Sequence, residues 1–311
     1  MYVAENPSRK MQSKLSEDIF ERMNEIVNEI DWLKRNRFTA GLTQLLTESI
    51  DSPALTDLLR DLLRRFTYVN VDETIDLCNE MRNFAVESWD ATPKDWIIAG
   101  IADNDKSDGC MLLIRQLELA FGRKWTSTIY ACIGPIFKFQ RTKIILVDDF
   151  IGSGKKLGEK IKRVIENAKE KNITIDLHVL AFAGMESGIK HVKGILGDSK
   201  VFCAKVLQRG ISDAYTGHAL REAIGAMLDF ESKVVPPAPF PKKDRYRSYN
   251  FGYETSETLY FWEINPNMSN NVFPIFWWEQ TWAMKEYLLN ATRSGHRNEN
   301  SENRTTLFKR I

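Results

Sequence analysis

Residues 144–157 read IILVDDFIGSGKKL. Four apolar residues, Ile144 to Val147, run into two adjacent carboxylates, Asp148 and Asp149. A short loop with Gly152 and Gly154 follows, and then Leu157, Ile161, Val164 and Ile165 recur at helical spacing. A short, continuous apolar run is the signature of a strand buried in a parallel sheet. The stretch therefore predicts strand, acidic pair, glycine turn and helix. At the carboxyl end of such a strand, the N–H groups and positive dipole end of the next helix favour a phosphate. Ionised carboxylates beside it act only as acceptors, which suits sugar hydroxyls. A phosphate next to a diol points to a ribose 5-phosphate.

Other readings of the stretch fare worse. A Walker A loop needs a Gly five residues before the Gly-Lys pair. Asp149 stands there, and Lys156 rather than Ser or Thr follows Lys155, so that reading is rejected. A receiver-type phosphoacceptor would also place acids at a strand end, but it leaves the Gly-Ser-Gly turn unexplained. A plain core strand with a flexible turn ranks second. Two successive carboxylates at the end of a buried strand are costly unless something satisfies them.

Outward from this stretch, residues 93–233 alternate strand and helix. WIIAGI (96–101) reads as a strand, Cys110–Phe121 as a helix and Thr126–Ile133 as a strand. Lys143–Val147 follows with its helix, then Ile175–Phe182, a short helix near Ile189, Lys200–Val206, and a helix from about Ser212 to Phe230. This alternation predicts an α/β core with a parallel sheet and helices on both faces.

Residues 1–92 read as a helical N-terminal region. Runs at helical spacing start near Ser16, near Leu42, at Pro53 and at Asp72. The Arg60, Arg64, Arg65 cluster reads as a solvated helix face. Residues 234–291 begin with the Pro-rich VVPPAPFPKKDRYRSY and continue into two strand-like aromatic runs, Leu259–Glu263 and Val272–Trp278. Residues 292–311 form a polar tail, expected to be disordered.

The chain has 311 residues, 43% hydrophobic and 27% charged, with a net charge of +1. This is the composition of a soluble globular protein, and it does not favour a polyanion-binding one. The four cysteines, Cys78, Cys110, Cys132 and Cys203, show neither a CxxC nor metal-ligand spacing. They are expected to be reduced thiols of a cytoplasmic protein. No signal peptide and no apolar run near the length of a membrane span is visible. Of the four histidines, His178 lies within an apolar strand and His191, His218 and His296 do not combine into a site.

The 144–154 stretch resembles the phosphoribosyl pyrophosphate (PRPP) motif of type I phosphoribosyltransferases. That motif is four apolar residues, two acids, and a small-residue loop ending in Gly, any residue, and Thr or Ser. This chain departs from it at Lys156, where the family usually has a hydroxyl residue on the 5-phosphate. The resemblance implies that Asp148 and Asp149 hold the ribose hydroxyls. It assigns Phe150, Ile151, Gly152, Ser153, Gly154, Lys155 and Lys156 to the 5-phosphate loop. It implies that the loop after the first core strand, with Lys106, Ser107, Asp108 and Gly109, binds pyrophosphate. Mg²⁺ is expected to arrive bound to the substrate.

The segment from Asn265 to Trp277, with the helical front end, resembles a divergent group of phosphoribosyltransferase-like proteins from bacterial conflict systems, including retron-type antiphage loci. Asn270 and Asn271 then line the pocket, and Tyr260, Trp262, Phe276, Trp277 and Trp278 form either a hood over a base or simply a core; core packing has the stronger prior. The implied activity is making or breaking the ribosyl C1 bond of PRPP or of a nucleotide. The alternatives are a non-catalytic PRPP or nucleotide sensor, and a toxin-like module that transfers a phosphoribosyl group. A homodimer and a defence-system partner, protein or nucleic acid, are the expected associations, with no membrane.

Overall fold

The computed structural model describes residues 7–35, 38–101, 109–128, 141–235, 249–265, 268–278, 280–281 and 306–308. The helices are α1 (Pro7–Glu29), α2 (Thr39–Ser49), α3 (Pro53–Arg65), α4 (Val71–Ser88), α5 (Gly109–Phe121), α6 (Lys155–Glu170), α7 (Glu186–Leu196) and α8 (Gly217–Glu231). The strands are β1 (Thr67–Val69), β2 (Trp96–Gly100), β3 (Thr126–Thr128), β4 (Lys143–Ile151), β5 (Asp176–Met185), β6 (Val201–Leu207), β7 (Val234–Val235), β8 (Tyr260–Trp262) and β9 (Gln280–Thr281). They divide between two units. One comprises Met1–Tyr68, Arg209–Phe261 and Met268–Ile311; the other comprises Val69–Gln208 and Trp262–Asn267.

The first unit is built on leucine-rich helices. Ser52 caps α3 by accepting from the Leu55 N–H at 3.4 Å, and Pro53 fills the first turn, where no N–H is needed. Leu55, Leu58, Leu59, Leu62 and Leu63 are buried from this helix at the expected spacing. The arginines on its opposite face are paired with acids: Arg60 with Glu29 at 3.0 Å, Arg64 with Glu29, and Arg65 with Asp61. Helix α1 begins at Pro7, well before Ser16, because a proline is as good a first-turn residue as any.

Val272–Trp278 does not form the strand its composition suggests. Pro274 starts a 3₁₀ turn, with the Phe276 N–H on Phe273 O at 3.2 Å and the Trp277 N–H on Pro274 O at 3.1 Å. Continuous burial rather than alternation explains it: Val272, Phe273, Ile275 and Phe276 are all fully enclosed in the apolar core of this unit. Phe276 lies edge-on to Phe66 at 5.5 Å. Phe276, Trp277 and Trp278 are therefore core residues.

The second unit carries the expected parallel sheet, five strands in the order β3-β2-β4-β5-β6. Every pairing is parallel. From β2 the chain moves outward to β3, returns to the other side of β2 as β4, and continues through β5 to β6. Right-handed crossovers then put α5 on one face and α6 and α7 on the other. Helix α4, capped by Asn70 Oδ1 on the Glu73 N–H at 2.8 Å, packs with α5, and α6 packs with α7. The direction of winding reverses between β2 and β4, and sheets of this kind leave a crevice there, outside the carboxyl ends of the strands.

Candidate functional site

The carboxyl end of the sheet is shaped by unequal strand lengths. Strand β2 ends with Gly100 opposite Val147, whereas β4 continues to Ile151 on β5 alone, with Asp148 opposite Ala181 and Ile151 opposite Gly184. The acidic pair therefore lies inside the strand, not beyond its end at Val147. The reason is the length of β5, which reaches Met185 and offers ladder partners to the end.

Side chains satisfy the backbone where β2 stops. The Ile101 N–H donates to Cys110 Sγ at 3.2 Å, and that thiol donates to Val147 O at 3.2 Å. Lys160, from α6, donates to Ile101 O. A cysteine from the first turn of α5 thus bridges the two strands where their ladder ends.

Adjacent residues of a strand point to opposite faces. Asp148 is 7% exposed. It shares a row with Ala181 and Cys203. Burial pushes the Cys203 thiol up to about 12, and the Asp148 and Glu80 charges add to the rise. This cysteine is a half-buried thiol held in its neutral form. Asp149 is half-buried on the other face. Its Oδ2 accepts from Asn265 Nδ2 at 3.2 Å. A Cβ built on Gly109, the first residue of α5, would overlap both the Asp149 carboxylate and Asn265 Nδ2. Only glycine permits that approach.

The loop after β4 is equally tight. Gly154 has a φ of +75° and is the N-cap of α6. A Cβ there would run into Gly188 O and, at 3.2 Å, Val192 Cγ2. Conversely, a Cβ on Gly188 would overlap Gly152 O. The first helical bond is Gly158 N–H to Gly154 O at 2.8 Å, and no side chain caps the helix. Its first turn carries Lys155 and Lys156, both exposed, and no acid. Cations at the positive end of a helix dipole are unfavourable. The arrangement suits an anion placed against the N–H groups of that turn.

Asp148, Asp149, Gly109 and the loop from Phe150 to Lys156 thus belong to one unit. Lys106, Ser107 and Asp108 lie outside the described residues, as does Cys132. Arg115 is exposed on α5. Asn270 and Asn271 belong to the other unit, where their carbonyls accept from the Tyr253 N–H at 2.8 Å and the Thr258 N–H at 3.2 Å. The asparagine that meets the acidic pair is Asn265. Its one local signal was its place at the end of the Tyr260–Trp262 aromatic run, just before Pro266.

That segment is anchored in the same unit. Trp262 packs on Phe182 with ring centroids 4.7 Å apart, and its indole N–H donates to Thr74 Oγ1 at 2.9 Å. The Glu263 N–H donates to Val69 O at 2.9 Å. His178 is a core residue: Nε2 meets Asp176 Oδ1 at 3.1 Å, and burial holds its pKa below the usual histidine range. No helix among the described residues is long and apolar enough to cross a membrane.

A family model described as PRTase-CE matches residues 25–284. No curated protein matches the chain. Among solved structures, a hypoxanthine-guanine-xanthine phosphoribosyltransferase is similar at 14% identity over 44% of this chain and 75% of its own, with a TM-score of 0.30. A hypothetical protein from Neisseria gonorrhoeae with bound ppGpp is similar at 12% identity, over 46% and 85%, with a TM-score of 0.32. Adenine phosphoribosyl transferase from Trypanosoma brucei, in complex with AMP, pyrophosphate and ribose-5-phosphate, is similar at 12% identity, over 64% and 93%, with a TM-score of 0.30. All three likenesses are distant.

Proposed function

We propose, from the premise that the chain belongs to the PRTase-CE family, that it binds PRPP or a nucleoside 5-phosphate and makes or breaks the ribosyl C1 bond. One observation carries the reading. An acidic pair at the switch point of a parallel sheet is followed by a glycine-tight loop and a helix whose uncapped first turn carries two lysines. The first turn of α6 holds the 5-phosphate, with Lys155 and Lys156 adding positive charge. Asp149 accepts from a ribose hydroxyl, and Asp148 completes the acidic pair. Binding at the phosphate end supplies energy that is used at C1.

The C1–O bond breaks with its electron pair leaving on pyrophosphate, the acceptor nitrogen bonds to the electron-poor C1, and the proton on that nitrogen is given up to solvent. Mg²⁺ arriving with the substrate would supply charge neutralisation on the leaving group. Such a cation is expected to be carried in on phosphates and water. Read in reverse, the same site cleaves a nucleotide at its glycosidic bond.

The test is incubation with PRPP, Mg²⁺ and a panel of bases, following pyrophosphate release. Pyrophosphate release that disappears in Asp148→Asn/Asp149→Asn supports the reading. Binding and turnover untouched by that double substitution overturn it. Lys156, in place of a hydroxyl residue, favours a second reading, a sensor that binds PRPP or nucleotide and signals to a partner. Binding without turnover supports the sensor.

The resemblance to conflict-system proteins supports a cytoplasmic role in bacterial antiphage defence, with a defence-system partner. Phage plating on cells expressing the wild type or the double variant tests it. Equal plaque counts remove the role.

A further inference from the structure

We infer that Asn265 is a positioning residue for Asp149, so that the ribose-binding half of the site is completed by a short segment from the C-terminal region. This deepens the PRPP or nucleotide reading and rests on it.

Five observations converge on the pair. Residues Trp262–Asn267 belong to the unit that holds the sheet, although the chain on both sides, to Phe261 and from Met268, belongs to the other unit. The segment is fixed at its start by the Trp262 indole on Thr74 and by the Glu263 N–H on Val69 O. It then turns, with the Asn265 N–H on Trp262 O at 3.1 Å. Asn265 is 8% exposed, and its amide reaches one oxygen of Asp149 at 3.2 Å. The absent side chain of Gly109 leaves the space in which the two meet.

A carboxylate has two oxygens and about four acceptor directions. An amide N–H on Oδ2 fixes the plane of the carboxylate and so sets the directions from which it accepts a sugar hydroxyl. Orientation of that kind sets how well a ligand hydroxyl is held. Asn265 touches Asp149 rather than the reacting atoms, so its effect is felt through that carboxylate. The 5-phosphate loop lies on another part of the chain and does not depend on it.

The experiment measures affinity for two probes, ribose 5-phosphate and inorganic phosphate, by calorimetry on the full chain. The variants are Asn265→Ala, Asn265→Asp and Asp149→Asn. Asn265→Asp keeps the shape but sets a second carboxylate against the first. A positioning role predicts that ribose 5-phosphate binding weakens about tenfold in Asn265→Ala. It weakens further in Asn265→Asp, while phosphate affinity stays the same in both. A merely structural role predicts the opposite order, with the isosteric Asn265→Asp the milder, and an equal loss for both probes. That result overturns the inference, and so does unchanged ribose 5-phosphate binding in both Asn265 variants while Asp149→Asn still abolishes it; in that case the ligand reading stands. Ribose 5-phosphate binding unaffected by Asp149→Asn overturns both.

Discussion

The Cα of Gly188, in the first turn of α7, lies against the carbonyl oxygen of Gly152, so closely that a methyl group on it would overlap that oxygen and its carbon. The obstacle is backbone on both sides and has no flexible end to yield. Gly188→Ala therefore displaces the loop between β4 and α6. Overpacking of this kind costs about 1–3 kcal/mol. The expected outcome is a lower midpoint in urea together with loss of phosphate binding. Wild-type phosphate affinity in a Gly188→Ala protein would show that the loop is not the phosphate site.

The first turn of helix α6 carries charge of the wrong sign for stability. Replacing an exposed cation by an acid at the positive end of a helix contributes about 0.3–1 kcal/mol per charge. Lys156→Glu should thus raise the melting temperature of the ligand-free protein by a few degrees. The same change should remove the stabilisation that ribose 5-phosphate confers on the wild type. Thermal melts with and without the sugar phosphate read both effects. A variant melting lower without ligand, or stabilised as much with it, counts against an anion at this turn.

Cys110 substitutes for a ladder that β2 and β4 no longer share. Its sulfur accepts from Ile101 and donates to Val147, each at 3.2 Å. Cys110→Ala withdraws both bonds from fully buried backbone, at about 1–3 kcal/mol for a group left unsatisfied. Cys110→Ser keeps a donor and an acceptor there and should be the milder change. Denaturant midpoints in the order wild type, Ser, Ala check this; Ala at or above Ser refutes it.

Glu231 makes the first unit sensitive to alkali. Burial pushes its carboxyl up to about 8, the hydrogen bond from the Phe251 N–H opposes the shift, and the Glu257 charge adds to it. The unfolded carboxyl titrates near its ordinary 4.5. Between those values the unfolded chain releases a proton that the folded chain keeps, so stability falls as pH rises. The contribution is whole below about 4.5 and gone above about 8. Glu231→Gln carries no proton to lose and should melt above the wild type at alkaline pH, with the gap closing in acid. Parallel melting curves across that range would refute the assignment.

The sheet was legible because its signals are local. Ile144–Val147 is apolar without a break, and Gly152 and Gly154 mark the turn, so strand, loop and helix could be placed from neighbouring residues alone. The end of β4 was not legible. The acidic pair was expected just past the strand's end at Val147, and the ladder offered by Ala181 to Gly184 is what keeps it extended. Val272–Trp278 misled for a related reason: a short apolar run does not separate strand from buried turn, and Pro274 decided it. The part of the site with the weakest sequence signal is the partner of Asp149. Asn265 lies 116 residues downstream, and nothing around it marks a long-range contact. Asn270 and Asn271, a few positions on, looked as suitable and belong to the other unit.

The to-and-fro path of the chain has a consequence for when the protein becomes competent. Synthesis runs from the N-terminus, and the five parallel strands leave the ribosome well before residue 265. A growing polypeptide that already holds all five strands still lacks the asparagine inferred above to orient Asp149. On that inference, a chain cut short upstream of that codon lacks the amide that orients Asp149. Of the residues brought together at the proposed sugar site, Gly109, Asp148, Asp149 and Asn265, the orienting amide is thus the last to be translated.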